Sequence, residues 1–272
     1  MVYKQNLHTH TTFCDGKNTV EEMVLEAISK GFDSLGFSGH SYMSFAEEYS
    51  MSLLGEKEYK KEVIRVREKY KDKIKIFLGL EYELFSNVPT TDYQYVIGSC
   101  HYLKKDGQII GFDRDQQTVA NIIKEHFNGD GMEYAKCYYQ TLATLPLYGK
   151  FDIIGHFDLI TKHADNIEFF DQNSKKYQSY ALEAVNSLAD KIDFFEVNTG
   201  AIARGYRKNT PYPATFILKE LKRRGVGAVI SSDCHNKCML DCYFNQSEEL
   251  LRQIGFKELY VLTEEGFTAT KL

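Results

Sequence analysis

Two histidines one residue apart, in Leu7-His8-Thr9-His10, leave an extended strand from the same face, where both imidazoles can serve one metal ion. Such a pair equally suits two half-buried structural histidines, so its meaning depends on what else reaches it. Six of the eight histidines share one placement, at the end of a short apolar or β-branched run. They are His8 and His10, His40 after Gly36-Phe37-Ser38-Gly39, His101 after Val96-Ile97-Gly98-Ser99-Cys100, His156 after Ile153-Ile154-Gly155, and His235 after Val229-Ile230-Ser231-Ser232. Carboxylates keep the same address: Glu81 ends Leu78-Gly79-Leu80, and Asp233 stands two residues before His235. Imidazoles and carboxylates crowded into one cleft leave buried charge and unpaired polar atoms, a cost that divalent cations remove. The expectation is a multinuclear metal site.

The remaining polar residues are less telling. His126 and His163 fall off the pattern and read as surface residues. Glu83 shares a strand face with Glu81 and reads as a solvated carboxylate or a substrate contact. Asp158, two residues after His156, suits an acceptor that orients a ligand. Cys100 and Cys234 each precede a histidine, so strand alternation turns them toward packing.

These side chains need parallel strands to bring them together. Runs at 3–7, 34–37, 75–80, 95–99, 152–155, 194–197 and 227–230 read as strands, several of them continuously apolar, as when both faces are buried. Amphipathic stretches at 20–30, 56–70, 132–145, 175–189 and 214–224 read as helices. Thr19 and Glu22 form a capping-box signature, Gly31 and Gly225 follow their helices, and Lys222-Arg223-Arg224 places cations at a helix C-terminus. About seven β/α units in series predict an α/β chain folded as a barrel, in which all strand C-termini meet at one rim. Residues 104–131 read as an excursion between units. Without a linker or low-complexity tract, residues 1–272 are expected to form one domain.

Bulk composition narrows the function. The apolar fraction is 43%, enough for a large core. A net charge of −5 exerts no general pull toward nucleic acid or anionic lipid, and no apolar run approaches the ~18 residues of a membrane span. Residues 1–6 lack the features of a signal peptide, and the six cysteines show no zinc-knuckle spacing, which suits reduced thiols in a cytoplasmic enzyme.

Taken in order, His8-x-His10, Gly36-Phe37-Ser38-Gly39-His40, Gly79-Leu80-Glu81, Ser99-Cys100-His101, Gly155-His156-Phe157-Asp158 and Ser232-Asp233-Cys234-His235 resemble the motifs of the polymerase and histidinol phosphatase (PHP) family. Glu196-Val197-Asn198-Thr199, Tyr212-Pro213 and Asp158-Leu159-Ile160-Thr161-Lys162 further resemble its histidinol-phosphate phosphatase branch. The resemblance implies a distorted seven-stranded (β/α)7 TIM-like barrel holding two or three divalent ions of zinc, manganese or iron. It assigns His8, His10, Glu81 and Asp233 to one ion, Glu81, His101 and His156 to a second, and Asp15, His40 and His235 to a third. Family members often carry a histidine where this chain has Gly16; Asp15 beside it is the expected substitute. Glu81 and Asp233 would fix the metal spacing and orient the attacking water, while Lys162, Arg204 and Arg207 would bind the substrate phosphate.

The implied reaction is hydrolysis of a small phosphorylated substrate, L-histidinol phosphate, to L-histidinol and phosphate in histidine biosynthesis. A phosphatase of another small ester, a PHP-type phosphodiesterase or nuclease, a non-catalytic metal-binding protein and a metal-dependent amidohydrolase are the alternatives. The acidic chain lacks a basic stripe for nucleic acid. About nine ligands for three ions leave coordination places open, unlike a purely structural site. Neither a nucleic acid nor a membrane partner is expected, and the oligomeric state has no sequence signature.

Overall fold

The computed structural model describes residues 3–46 and 48–272. Seven parallel strands run in the order β1 (Gln5–Asn6), β2 (Ser34–Phe37), β3 (Lys75–Glu83), β4 (Tyr95–Ser99), β7 (Ile153–Ile154), β8 (Phe194–Asn198) and β9 (Gly227–Ser231). The sheet curls into a nearly closed barrel. Beyond the ends of β1 and β9, a parallel bridge joins Thr9 to Cys234: His10 N–H donates to Cys234 O, and Cys234 N–H donates to His8 O. The segments that complete the barrel are therefore those carrying His8, His10, Asp233 and His235. This is the distorted (β/α)7 barrel expected from the sequence.

The barrel interior explains two glycines in the motifs that carry the candidate ligands. Tyr95 lies inside with Leu7, Phe77, Ile97, Ile153 and Val229, and its hydroxyl donates to Leu7 O and Phe37 O. A Cβ on Gly79 would lie 2.2 Å from the Tyr95 ring, and one on Gly36 would lie 2.4 Å from its hydroxyl. The phenol thus fills the floor beneath the site in space that only glycine leaves free.

Outside, a larger apolar cluster joins the strands to α1 (Val20–Ser29), α2 (Leu53–Tyr70), α4 (Gly131–Leu142), α5 (Lys175–Leu188) and α7 (Thr215–Arg224). The Thr19–Glu22 capping box is formed in both directions, and Gly225 ends α7 in the left-handed region with φ 73°. Ser52 caps Gly55 N–H, so α2 starts three residues before the expected 56.

Other departures are larger. No helix separates β3 from β4, so that unit is incomplete. Residues 104–131 contain most of a hairpin, β5 (Tyr102–Lys105) with β6 (Gln108–Gly111), and a helix, α3 (Gln116–His126). A four-residue α6 (Gly200–Ala203) follows β8, and α8 (Phe244–Ile254) follows β9. The antiparallel pair β10 (Glu258–Thr263) and β11 (Gly266–Lys271) packs Leu262, Tyr260 and Phe267 against the Tyr95 cluster and plugs the end of the barrel away from the histidines. Among the described residues, no helix is long and apolar enough to cross a membrane.

Candidate metal centre

Each strand delivers its polar residues to the same rim. Glu81 occupies the centre: its carboxylate lies 2.8 Å from His40 Nδ1, 2.9 Å from His156 Nε2, 3.3 Å from His8 Nε2, 3.5 Å from His10 Nε2 and 3.6 Å from His101 Nε2. Asp233 stands opposite, 3.2 Å from His10 Nε2 and 3.7 Å from His8 Nε2. Its backbone is left-handed with φ 47°, a conformation disfavoured for aspartate and held here in the turn that closes the barrel. Farther out, Asp15 reaches His235 Nε2 at 3.1 Å and His10 and His40 at 3.6 Å.

Gly16 has no room for a side chain. A Cβ there would lie 2.4 Å from the His10 carbonyl carbon and the Thr11 nitrogen, whereas Asp15 already faces the imidazoles.

The electrostatics are those of a site built for cations. His8 Nε2, His10 Nε2 and Glu81 Oε2 are buried without a hydrogen-bond partner, although imidazole and carboxylate lie close together. Leaving such atoms unsatisfied is expensive, and a shared divalent ion satisfies them together. Burial opposes charge on His8 and His40, but the facing carboxylates outweigh it and hold both imidazoles well above their ordinary range. Burial likewise opposes charge on Glu81 and Asp233, yet the cations around them keep both far below the usual carboxylate range. His10 is pushed down to about 3 by burial and by its neighbours His235 and His40. Four donor groups are compact enough to hold an ion: His10, Asp15, His40 and His235; His8, His10 and Asp233; His8, Glu81 and His156; and His40, Glu81 and His101. The donor set, imidazole nitrogen with carboxylate oxygen, fits zinc, manganese or iron.

Two carboxylates behind the rings were misjudged or overlooked in the sequence. Glu83 is buried rather than solvated, and it accepts from His101 Nδ1–H at 2.8 Å and from His101 N–H at 3.0 Å. Glu196 on β8 accepts from His8 Nδ1–H at 2.7 Å and from His156 N–H at 2.8 Å. A carboxylate can only accept, so each pair fixes the proton on Nδ1 and turns the Nε2 lone pair into the site. Strand alternation carried the clue for Glu83, which shares a face with Glu81; Glu196 lies two residues before the end of its strand, as Glu81 does.

Asp158 does not orient His156. It accepts from Ala214 N–H at 2.9 Å, bracing the start of α7. His163 is buried, not superficial, with its ring edge-on to Tyr206 and Nε2–H donating to Arg114 O. Cys100 and Cys234 are buried among packed residues, as alternation required.

Above the rim opens a cleft of about 390 Å3 whose walls include His40, His101, His235, Asp233, Tyr49, Lys162 and Arg204. Lys162 Nζ donates to Asp113 at 2.9 Å and lies 4.4 Å from the centre of the Tyr206 ring. Arg204 Nη2 donates to Asp233 Oδ2 at 2.9 Å. Arg207 is not brought to this wall. It is buried over the Tyr212 ring, and Nη1 donates to Thr161 Oγ1 at 3.0 Å.

Comparison with known proteins gives a consistent picture. The PHP domain model matches residues 6–200. A Schizosaccharomyces pombe protein named "Probable histidinol-phosphatase" is 27% identical over 95% of this chain and 89% of its own length. The histidinol-phosphatase of Bacillus subtilis is 25% identical over 85% of this chain and 93% of its own. Among solved structures, histidinol phosphate phosphatase from Lactococcus lactis, in complex with zinc, L-histidinol and phosphate, superposes with a TM-score of 0.70 at 20% identity. That match covers 98% of this chain and 100% of the other, and it shows a shared fold.

Proposed function

The chain belongs to the PHP-domain family, and on that premise we propose that it is a metal-dependent phosphomonoesterase acting on L-histidinol phosphate, releasing L-histidinol and phosphate in histidine biosynthesis. The observation that carries the reading is Glu81 ringed by five imidazoles, with unpartnered ring nitrogens facing it, beneath a cleft that presents Lys162 and Arg204. The named relatives support the substrate.

Two or three divalent ions of zinc, manganese or iron would be held by His8, His10, Glu81 and Asp233, by Glu81, His101 and His156, and by Asp15, His40 and His235. Zinc in the Lactococcus lactis structure favours that ion. Bound there, the cations supply Lewis-acid charge to phosphoryl oxygens and acidify an attacking water. The chain's own residues do the rest. Glu81 and Asp233 set the ligand spacing and anchor the face from which water approaches phosphorus. Lys162 and Arg204 stand at the cleft wall to take up charge on the remaining phosphoryl oxygens, where pre-placed cations stabilise the transition state most. Arg207 supports the Thr161 turn next to Lys162 and so acts on phosphate only through that turn. The reading carries with it a cytoplasmic location and one catalytic domain over residues 1–272.

The test is phosphate release by metal-reconstituted protein from L-histidinol phosphate, against a panel of other small monoesters and single-stranded DNA. A clear preference for L-histidinol phosphate is expected. A flat response across the esters removes the named substrate; no release from any of them removes the reaction class.

A further inference from the structure

The cleft holds one acidic group that the metal centre does not use. Among the described residues lining it, the carboxylates are Asp15 and Asp233, both among the candidate ligands, and Asp113. Asp113 follows the β5–β6 hairpin, and its side chain is 23% exposed. Oδ1 accepts from Lys162 Nζ, whereas Oδ2 has no hydrogen-bond partner among the described residues. Burial disfavours its charge, but Lys162 and His101 outweigh that and hold the carboxyl at about 2, so it is ionised at neutral pH. A single ion pair leaves such a carboxylate with acceptor capacity directed at whatever fills the cleft.

The chemistry of the substrate gives that capacity a use. In L-histidinol phosphate the ammonium sits on the carbon next to the CH2 that bears the ester oxygen. A group that reads the amine must therefore stand beside a group that reads the phosphate. Asp113 and Lys162, in contact at 2.9 Å, have that relation.

We propose that Asp113 is a specificity-determining residue: its carboxylate accepts a charge-assisted hydrogen bond from the ammonium of an aminoalkyl phosphate while Lys162 engages the phosphate. This assignment rests on the phosphatase reading above. It makes the cleft selective for esters with a cation next to the ester carbon over neutral esters of the same shape.

The experiment compares L-histidinol phosphate with imidazolylpropyl phosphate, the same ester without its amine, on the metal-loaded wild type and on Asp113→Asn. The wild type should favour the aminated ester in kcat/KM by roughly ten- to a hundredfold, as expected for a hydrogen bond to a charged group, and the variant should lose most of that preference. Any disturbance of Lys162 falls on both esters and cancels in the ratio. Asp113→Ser, which removes the carboxylate with less bulk, should give the same ratio and serves if the amide variant does not fold. A wild-type ratio near one, or a variant ratio equal to the wild type's, overturns the assignment and leaves the phosphatase reading standing. Hydrolysis of neither ester by the wild type overturns that reading, and this assignment with it.

Discussion

His8 Nδ1 and Glu196 Oε1 lie 2.7 Å apart, joining the first strand of the barrel to the sixth in spatial order across its interior. The bond sets the His8 tautomer and leaves Nε2 facing Glu81 and Asp233. Glu196→Gln removes the charge and leaves one acceptor oxygen where two are used, so its NH2 must face a donor, either His8 Nδ1–H or His156 N–H. Metal affinity should fall about 10- to 100-fold, read by competition with a chromogenic chelator. Unchanged affinity would mean that His8 is oriented without Glu196.

Glu83 makes the same demand on His101 from the neighbouring wall. Glu83→Gln should also lower affinity about tenfold or more. Because the histidines held by Glu83 and Glu196 both face Glu81, the two losses should couple in the double variant rather than simply add. Elemental analysis of the variants after limited dialysis measures it. Full metal retention in both would contradict the tautomer-fixing role.

How much of this was legible in the sequence depended on whether chain-local physics decided it. The strand-end placement of His8, His40, Glu81, His101, His156 and His235 could be read because parallel barrels send all strand ends to one rim. Glu83 looked solvated because nothing local says that His101, 18 residues on, turns both its Nδ1–H and its backbone N–H onto that carboxylate. His163 looked superficial because its burial comes from Tyr206 and Arg114, distant in sequence or in an irregular stretch. The β5–β6 hairpin was the avoidable omission. Asp106-Gly107 between two short β-prone runs is a two-residue turn signal, and both residues have positive φ, 49° and 80°. That hairpin leads to Asp113, so missing it also hid a wall of the cleft.

Removing the cations should cost stability as well as activity. The apo site retains buried imidazoles and carboxylates whose unsatisfied atoms a metal would engage. Ligand bound only by the folded state at a thousandfold its Kd adds about 4 kcal/mol, which for a chain of this size corresponds to a Tm shift on the order of 10 °C. Differential scanning calorimetry with and without chelator measures it. An unchanged Tm would deny that folded protein binds metal tightly.

Lys162 should matter for turnover more than for folding. Its ammonium is held by Asp113 and Tyr206 at the cleft wall. Lys162→Met keeps most of the aliphatic stem and removes the charge. It should lower kcat/KM about 10²- to 10³-fold, in the range for losing one pre-placed electrostatic donor, with metal content unchanged. Steady-state kinetics alongside elemental analysis separate these effects.

The barrel floor has its own test. A methyl group on Gly79 would meet the Tyr95 ring at 2.2 Å. Gly79→Ala should destabilise the fold by about 1–3 kcal/mol, measured by urea unfolding. In a Tyr95→Leu background, itself destabilised, the further cost of Gly79→Ala should shrink, because the smaller side chain leaves the Cβ room.

The most direct measurement follows phosphate release from L-histidinol phosphate through one cycle on a single preparation: as purified, after exhaustive chelation with metal content verified as nil, and after readdition of zinc or manganese. Activity that disappears on chelation and returns with the ion is the predicted result. Undiminished hydrolysis by the metal-free protein would contradict the account.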